Sequence, residues 1–309
     1  MSLKYNMKFY SSKVETRLHD DLHILSGKAK ANIKEEAKLI AQDFKEMGYK
    51  VNTKFCSPTL IVQQDFKNLV NFWQSKGYKE GTIENKATAL RHILKECNNM
   101  KANVDNKELG LQSKERDILN EKNENRGCKP LTENALSSIK DKSIKAAVIL
   151  IIGYGLRKDE SLHATWALAH GRDIGQGGKI DIKGSWAKNG RPRSFRMQDG
   201  GLVLKEAAAL VKNYEIKGKI ENFRSRLDRQ FTKLKTAAND NTLHPHALRH
   251  NYAQSRYLET TGLTAPAGGG LNYKDMNKEQ KSSYNNACGI IANEMGHSRE
   301  EISRTYIGH

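Results

Sequence analysis

The sequence has little cysteine, no long apolar run and too few carboxylates to balance its cations. Four cysteines occur in 309 residues, at Cys56, Cys97, Cys128 and Cys288. No two form a C-x-x-C pair, so the spacing fits neither a zinc pattern nor a disulfide framework, and they read as reduced thiols. The longest apolar run, Ala146 to Ile152, falls far short of the roughly 20 residues that span a bilayer. The N-terminus lacks the apolar core of a secretion signal. These absences point to a cytoplasmic protein without a membrane partner. Asp and Glu number 35 against 52 Lys and Arg, a net charge of +17. An excess of that size suggests a polyanionic partner, with nucleic acid the first candidate. At this length two domains are expected.

Residues 1–50 are polar and lysine-rich, with helical character over Ile33 to Met47, and read as an arm or as the first helix of the next unit. In 51–125 the clearest signal is Val62, Phe66, Leu69 and Trp73, spaced as one face of a helix. Gly77 stops it. Thr82 is placed to cap a second helix whose apolar face is Ile83, Ala87, Leu90 and Leu94. Residues 98–127 are rich in Asn, Lys and Glu and read as a linker. From 126 to 309 the pattern is that of a second domain. Thr132 caps a helix with Glu133 in its first turn, and Ile144 to Ile152 forms a buried helix stopped by Gly153 and Gly155. Strand character is confined to Ile180–Met197, where Asn189-Gly190 signals a hairpin turn. Beyond 202 the chain reads as helix and loop, with Phe223, Leu227, Phe231 and Leu234 as one stripe and Gly262 to Asn272 as a flexible loop.

Certain residues carry chemistry by type and spacing. Arg157 lies in Gly155-Leu156-Arg157-Lys158-Asp159-Glu160, and His246 and Arg249 lie in His246-Ala247-Leu248-Arg249-His250. Tyr306 comes nine residues after His297. Cutting a phosphodiester without a metal needs a nucleophile, cations for the nonbridging oxygens and a proton for the leaving oxygen. A tyrosine phenol can form a phosphate ester that stores the bond energy. Two guanidiniums can neutralise the transition state with planar forks of donors. His246 and Arg249, three apart, share a helix face, and histidine can hold a phosphate or move a proton. His246 and His250 have the i,i+4 spacing of metal ligands, but no carboxylate accompanies them, so no metal is expected. Ser298 and Glu301 form an S-x-x-E capping box that should open a helix carrying Tyr306.

This order of residues resembles the catalytic domain of the tyrosine recombinases, the phage integrase family. The resemblance covers about 130–309 well and 59–97 loosely, the latter like the family's core-binding domain. It implies a mainly α fold with a small β-sheet or hairpin, arranged as a two-domain C-shaped clamp on double-stranded DNA. It implies site-specific recombination or integration through a 3′-phosphotyrosyl link, with no cofactor, by a homotetramer on two duplexes, with room for accessory DNA-bending proteins and a nucleoid-associated location. A phage or mobile element is the implied setting. Tyr306, Arg157, His246, Arg249 and His297 would be catalytic, with Glu160 and His250 in support. The family's hairpin lysine, the general acid, would be Lys188, with Lys183 its competitor. Lys179, Lys183, Arg191, Arg193 and Arg196 would contact DNA, since 178–196 holds six basic residues against Asp181 alone. Two departures stand out: 47 residues separate Arg249 from His297, as if a lid or protomer contact were inserted over 262–286, and only three residues lie beyond Tyr306, where relatives carry a docking tail. A type IB topoisomerase would use the same chemistry on one duplex, and a catalytically inactive DNA-binding relative would keep the fold without turnover.

Overall fold

The computed structural model describes residues 27–49, 58–111, 122–187, 190–212 and 220–309. The chain divides into two compact units, Met1–Arg116 and Asp117–His309.

The first unit is helical: α1 (Gly27–Glu46), α2 (Gln63–Ser75) and α3 (Glu80–Glu96), with short 3-10 turns at Pro58–Leu60 and Met100–Ala102. One apolar cluster joins Ile33, Ile40 and Phe44 of α1 to Phe66, Leu69 and Trp73 of α2 and to Ile83, Leu90 and Leu94 of α3. Gly27–Glu46 is therefore built into this core rather than standing apart from it. The core has a polar tie. Trp73 Nε1 donates to the Asp43 carboxylate at 2.8 Å, and Lys86 Nζ lies 3.3 Å from the same oxygen. Val62 is exposed because it precedes the first turn, where the Asp65 carboxylate accepts its N–H at 3.0 Å. The second helix opens at Glu80, with Lys79 at its N-cap, so Thr82 sits inside the first turn rather than capping it. A carboxylate at that end suits the helix dipole.

The second unit carries α4 (Glu133–Ser137), α5 (Lys142–Tyr154), α6 (Lys158–Ala169), β1 (Gly175–Gln176), β2 (Lys179–Ile182), β3 (Arg193–Arg196), α7 (Leu202–Val211), α8 (Ile220–Ala238), α9 (Pro245–Thr261), α10 (Lys278–Met295) and α11 (Arg304–Ile307). Thr132 Oγ1 accepts from Ala135 N, as its position predicted, and Asp141 caps α5 through the N–H groups of Ser143 and Ile144. Helix α5 is buried nearly all round and is the centre of the unit, packing against α6, α7, α8 and α9. Phe223, Leu227, Phe231 and Leu234 of α8 are buried against it. The three strands form an antiparallel sheet in the order β1-β2-β3. Ile180 opposite Phe195 faces the core, and Lys179 opposite Arg196 faces out. The fold is thus mainly helical with one small sheet.

The stretch between Arg249 and His297 is not a loose insertion. Gly262 ends α9 in the left-handed conformation, at φ 71°, and Pro266–Gly268 forms a 3-10 turn with Ala265 and Ala267 buried. The polar run up to Asn286 becomes the first half of α10, capped reciprocally by Asn277 and Gln280. Its polarity conceals the helix because only one face, including the fully buried Tyr284, meets the core. No helix among the described residues is long and apolar enough to cross a membrane.

Candidate active site

The site is assembled from three helix ends and one strand. Helix α5 stops at Gly155, whose φ of 57° only glycine adopts without strain. Two residues later Arg157 is the N-cap residue of α6, and Glu160 Oε2 accepts its backbone N–H at 2.8 Å. Helix α9 starts at Pro245 behind a His244 cap, whose Nδ1 accepts from Ala247 N at 2.9 Å. That start places His246, Arg249 and His250 on consecutive turns. Helix α10 ends at Gly296, again left-handed at φ 70°, and His297 comes directly after it.

The two arginines are held by the ends of the opposite helices. Arg157 Nη2 donates to the carbonyl of Gly296 at 3.1 Å, while Arg249 Nη1 donates to the carbonyl of Gly155 and its Nη2 to that of Met295 at 3.3 Å. Helix C-terminal carbonyls lack intrahelical donors and carry partial negative charge, so they suit guanidiniums. Arg249 is almost completely buried, at 2% exposure. A methyl on Gly155 would overlap the Tyr252 ring in a backbone conformation L residues disfavour. We expect Gly155→Ala to destabilise the protein by about 2–4 kcal/mol. A denaturant titration measures this, and an unchanged midpoint would mean the turn relaxes.

Glu160 has no exposure at all and accepts from two guanidiniums, Arg157 Nη1 at 2.9 Å and both Nη atoms of Arg193 at 2.8 Å. Burial alone would raise its pKa, but the hydrogen bonds and charge of Arg193, with Arg157, hold it down to about 2. A depressed carboxylate contributes stability above its unfolded pKa of 4.5 that is lost as pH falls through the folded value. For this shift the contribution is about 3 kcal/mol. Wild type should therefore lose stability between pH 4.5 and about 2 that Glu160→Gln, already weaker at neutral pH, does not lose. Parallel slopes of stability against pH would contradict the charge assignment.

Tyr306 is buried at 6% exposure, on the single turn of α11. Its ring centroid lies 4.5 Å from that of His250, 5.1 Å from His297 and 5.5 Å from His246, with the Arg249 guanidinium 5.9 Å above it. Burial pushes the pKa of His250 down to about 3, reinforced by His246, and burial with Arg249 and Arg157 does the same to His297. Both imidazoles are neutral at physiological pH. The exposed imidazole of the group is His246. Three buried polar atoms here, Arg249 Nε, His250 Nδ1 and His297 Nδ1, have no hydrogen-bond partner among the described residues.

No protein family and no curated protein matches the sequence. Solved structures do match. The Tn1549 transposon integrase in complex with circular intermediate DNA aligns with a TM-score of 0.51 at 15% identity, over 97% of this chain and 95% of that one. A form of the same integrase in complex with transposon right end DNA aligns with a TM-score of 0.53 at 14% identity, over 100% and 95%. The chain has the fold of a transposon integrase. The resemblance to tyrosine recombinases read from the residues is met at the level of the fold.

The structure thus gathers Arg157, Glu160, His246, Arg249, His250, His297 and Tyr306 into one site. It handles the hairpin differently. Lys188 and its neighbour Asn189 lie outside the described residues. Lys179, Arg191 and Arg196 are exposed, and so is Lys183, directly after β2, with Nζ 5.6 Å from the Trp186 ring. Arg193 is the correction. Expected on DNA, its side chain is only 6% exposed and lies inside, on Glu160. The register explains it: Arg193 sits two residues before the buried Phe195, on the same face of β3. The Ser298–Glu301 capping box is also absent. The chain instead enters a 3-10 turn at Glu300–Ser303 that runs into α11. Sequence reasoning missed Glu294, a buried carboxylate that accepts from Tyr252 and Arg256 and ties α9 to α10. An acidic residue in an otherwise apolar helix end was its only signal.

Proposed function

We propose that the protein is a site-specific DNA recombinase or integrase of the tyrosine type, carried by a mobile element. The observation that carries this reading is a buried tyrosine ringed by three imidazoles and a guanidinium whose donors are not all used. Buried donors of this kind are costly unless a ligand meets them, and an anionic phosphate matches their chemistry. The integrase fold of the chain supports the same reading.

In this mechanism the two units clamp duplex DNA, and Arg157 and Arg249 take the nonbridging oxygens of one phosphate. Tyr306 Oη attacks phosphorus in line and passes its proton to His246. The bond to the 5′ oxygen breaks as the 3′-phosphotyrosyl bond forms, and Lys188 protonates the leaving oxygen. His297 and His250, kept neutral, hydrogen-bond the phosphate and pack the tyrosine. A 5′ hydroxyl from a partner strand then reverses the step, so four protomers on two duplexes complete the exchange without a cofactor. A type IB topoisomerase would instead rejoin the same duplex.

The deciding experiment mixes the protein with nicked duplexes that trap the cleaved strand, in EDTA, and resolves the products on a denaturing gel. A protein–DNA adduct is expected. Its absence on DNA that the protein binds specifically would leave an inactive relative. Binding should also weaken with salt, with a slope of roughly 0.9 per phosphate neutralised. A flat response would rule out an extended contact with DNA backbone.

A further inference from the structure

Arg193 makes every one of its resolved contacts inside the protein. Its Nη1 and Nη2 donate in parallel to the two oxygens of Glu160, both at 2.8 Å, and its Nε donates to the backbone carbonyl of Glu294 at 2.9 Å. Those contacts reach three elements of the site. Glu160 orients Arg157 through both its backbone N–H and its Nη1. The Glu294 carbonyl lies two residues before Gly296, which receives Arg157 Nη2 and leads into His297. Arg193 itself stands on β3, the return strand of the hairpin that bears the lysine of the proposed mechanism. The Gly296 backbone packs closely on both guanidiniums, since a Cβ there would come within 2.8 Å of Arg193 Nη1 and 3.1 Å of Arg157 Nη1.

We infer that Arg193 is a positioning residue for strand cleavage, which locks Arg157 and the His297 turn through Glu160 and the Glu294 carbonyl and does not contact DNA. The inference rests on the recombinase reading. A bidentate guanidinium fixes a carboxylate in orientation as well as in charge. Arg157 alone would leave Glu160 free to rotate about one ion pair. The charged and titratable groups facing Glu160 are Arg157 from α6, Arg193 from β3 and, further off, Arg249 from α9. Of these Arg193 makes the largest contribution to keeping Glu160 ionised.

The test compares wild type, Arg193→Met, Arg193→Lys and Glu160→Gln in the trapped-cleavage assay and in DNA binding across salt, with folding checked by thermal melts. Arg193→Met should cleave at least about 100-fold more slowly at saturating DNA, with the salt slope of binding unchanged. A lost phosphate contact would instead lower that slope by about 0.9. Arg193→Lys, which keeps the charge but not the fork, should also cleave more slowly than wild type, and it stands in if the methionine variant does not fold. In both variants the acid limb of the cleavage rate should move to higher pH, because Glu160 protonates more readily. Adding Arg193→Met to Glu160→Gln should cost little beyond the single glutamine change. Wild-type cleavage rates in the lysine variant, or a reduced salt slope with normal cleavage, would overturn the inference alone. Absence of any adduct with wild type would overturn the recombinase reading, and this inference with it.

Discussion

A Tyr306→Phe protein is expected to form no covalent adduct with nicked DNA while binding the same DNA as tightly as wild type. The phenolic oxygen is the bond-forming atom in the proposed mechanism, and none of the neighbouring imidazoles can replace it without building a different, labile linkage. The ring itself is retained. Its packing on His250, His297 and Arg249 survives the change, so stability should change by no more than about 1 kcal/mol, the worth of a hydrogen bond from the hydroxyl. The measurement is a denaturing gel beside a binding titration. Adduct formed by the phenylalanine protein would remove Tyr306 from the mechanism. Loss of binding together with the adduct would mean that the hydroxyl is holding the DNA-binding surface together and would leave the nucleophile unassigned.

Arg249→Ala is expected to reduce the single-turnover cleavage rate by about 10²–10³-fold or more, equivalent to about 3–4 kcal/mol of transition-state stabilisation. Two features make this arginine more demanding than Arg157. It is buried at 2% exposure, whereas the Arg157 side chain is 24% exposed. Its charge is met inside the protein by backbone carbonyls rather than directly by a carboxylate. Burial lowers the pKa of such a group, but a guanidinium stays protonated at any working pH, so the charge is fully available to the phosphate. Truncation also strands the carbonyls of Gly155 and Met295, at about 1–3 kcal/mol each where water cannot reach them. Cleavage should therefore be read at saturating DNA and at a temperature where the variant is folded. Lysine at this position keeps a charge but cannot span both carbonyls and a phosphate, and should recover only part of the rate. Near-normal cleavage by a folded alanine variant would contradict the clamp.

Much of the site was legible because the informative residues are of types that rarely gather by chance. Arg157, His246, Arg249, His297 and Tyr306 lie far apart in sequence, yet the helix stops at Gly155 and Gly296 and the start at Pro245 could each be read locally, and those three joints bring the five together. The buried stripes of α2, α3 and α8 came from 3.6-residue periodicity. The rest was set by tertiary context. Arg193 looked like one cation among six, and only strand register shows that it shares a face with Phe195. Thr82 and Ser298 are good capping residues that lost to neighbouring starts. The polar face of α10 hid a helix because its apolar face is narrow, and Pro266–Gly268 looked like slack chain although it folds into a buried turn.

The exchange of partners between the two glycine caps also leaves the site without spare length. Only Leu156 stands between the Gly155 carbonyl and Arg157, and nothing stands between Gly296 and His297. One residue added at either joint would rotate the downstream chain by about 100°. Because each cap receives the other helix end's guanidinium, a slip at either joint would part both arginines from their carbonyls. Insertions are accommodated elsewhere, as in the 262–277 connection between α9 and α10, where neither guanidinium takes its acceptor.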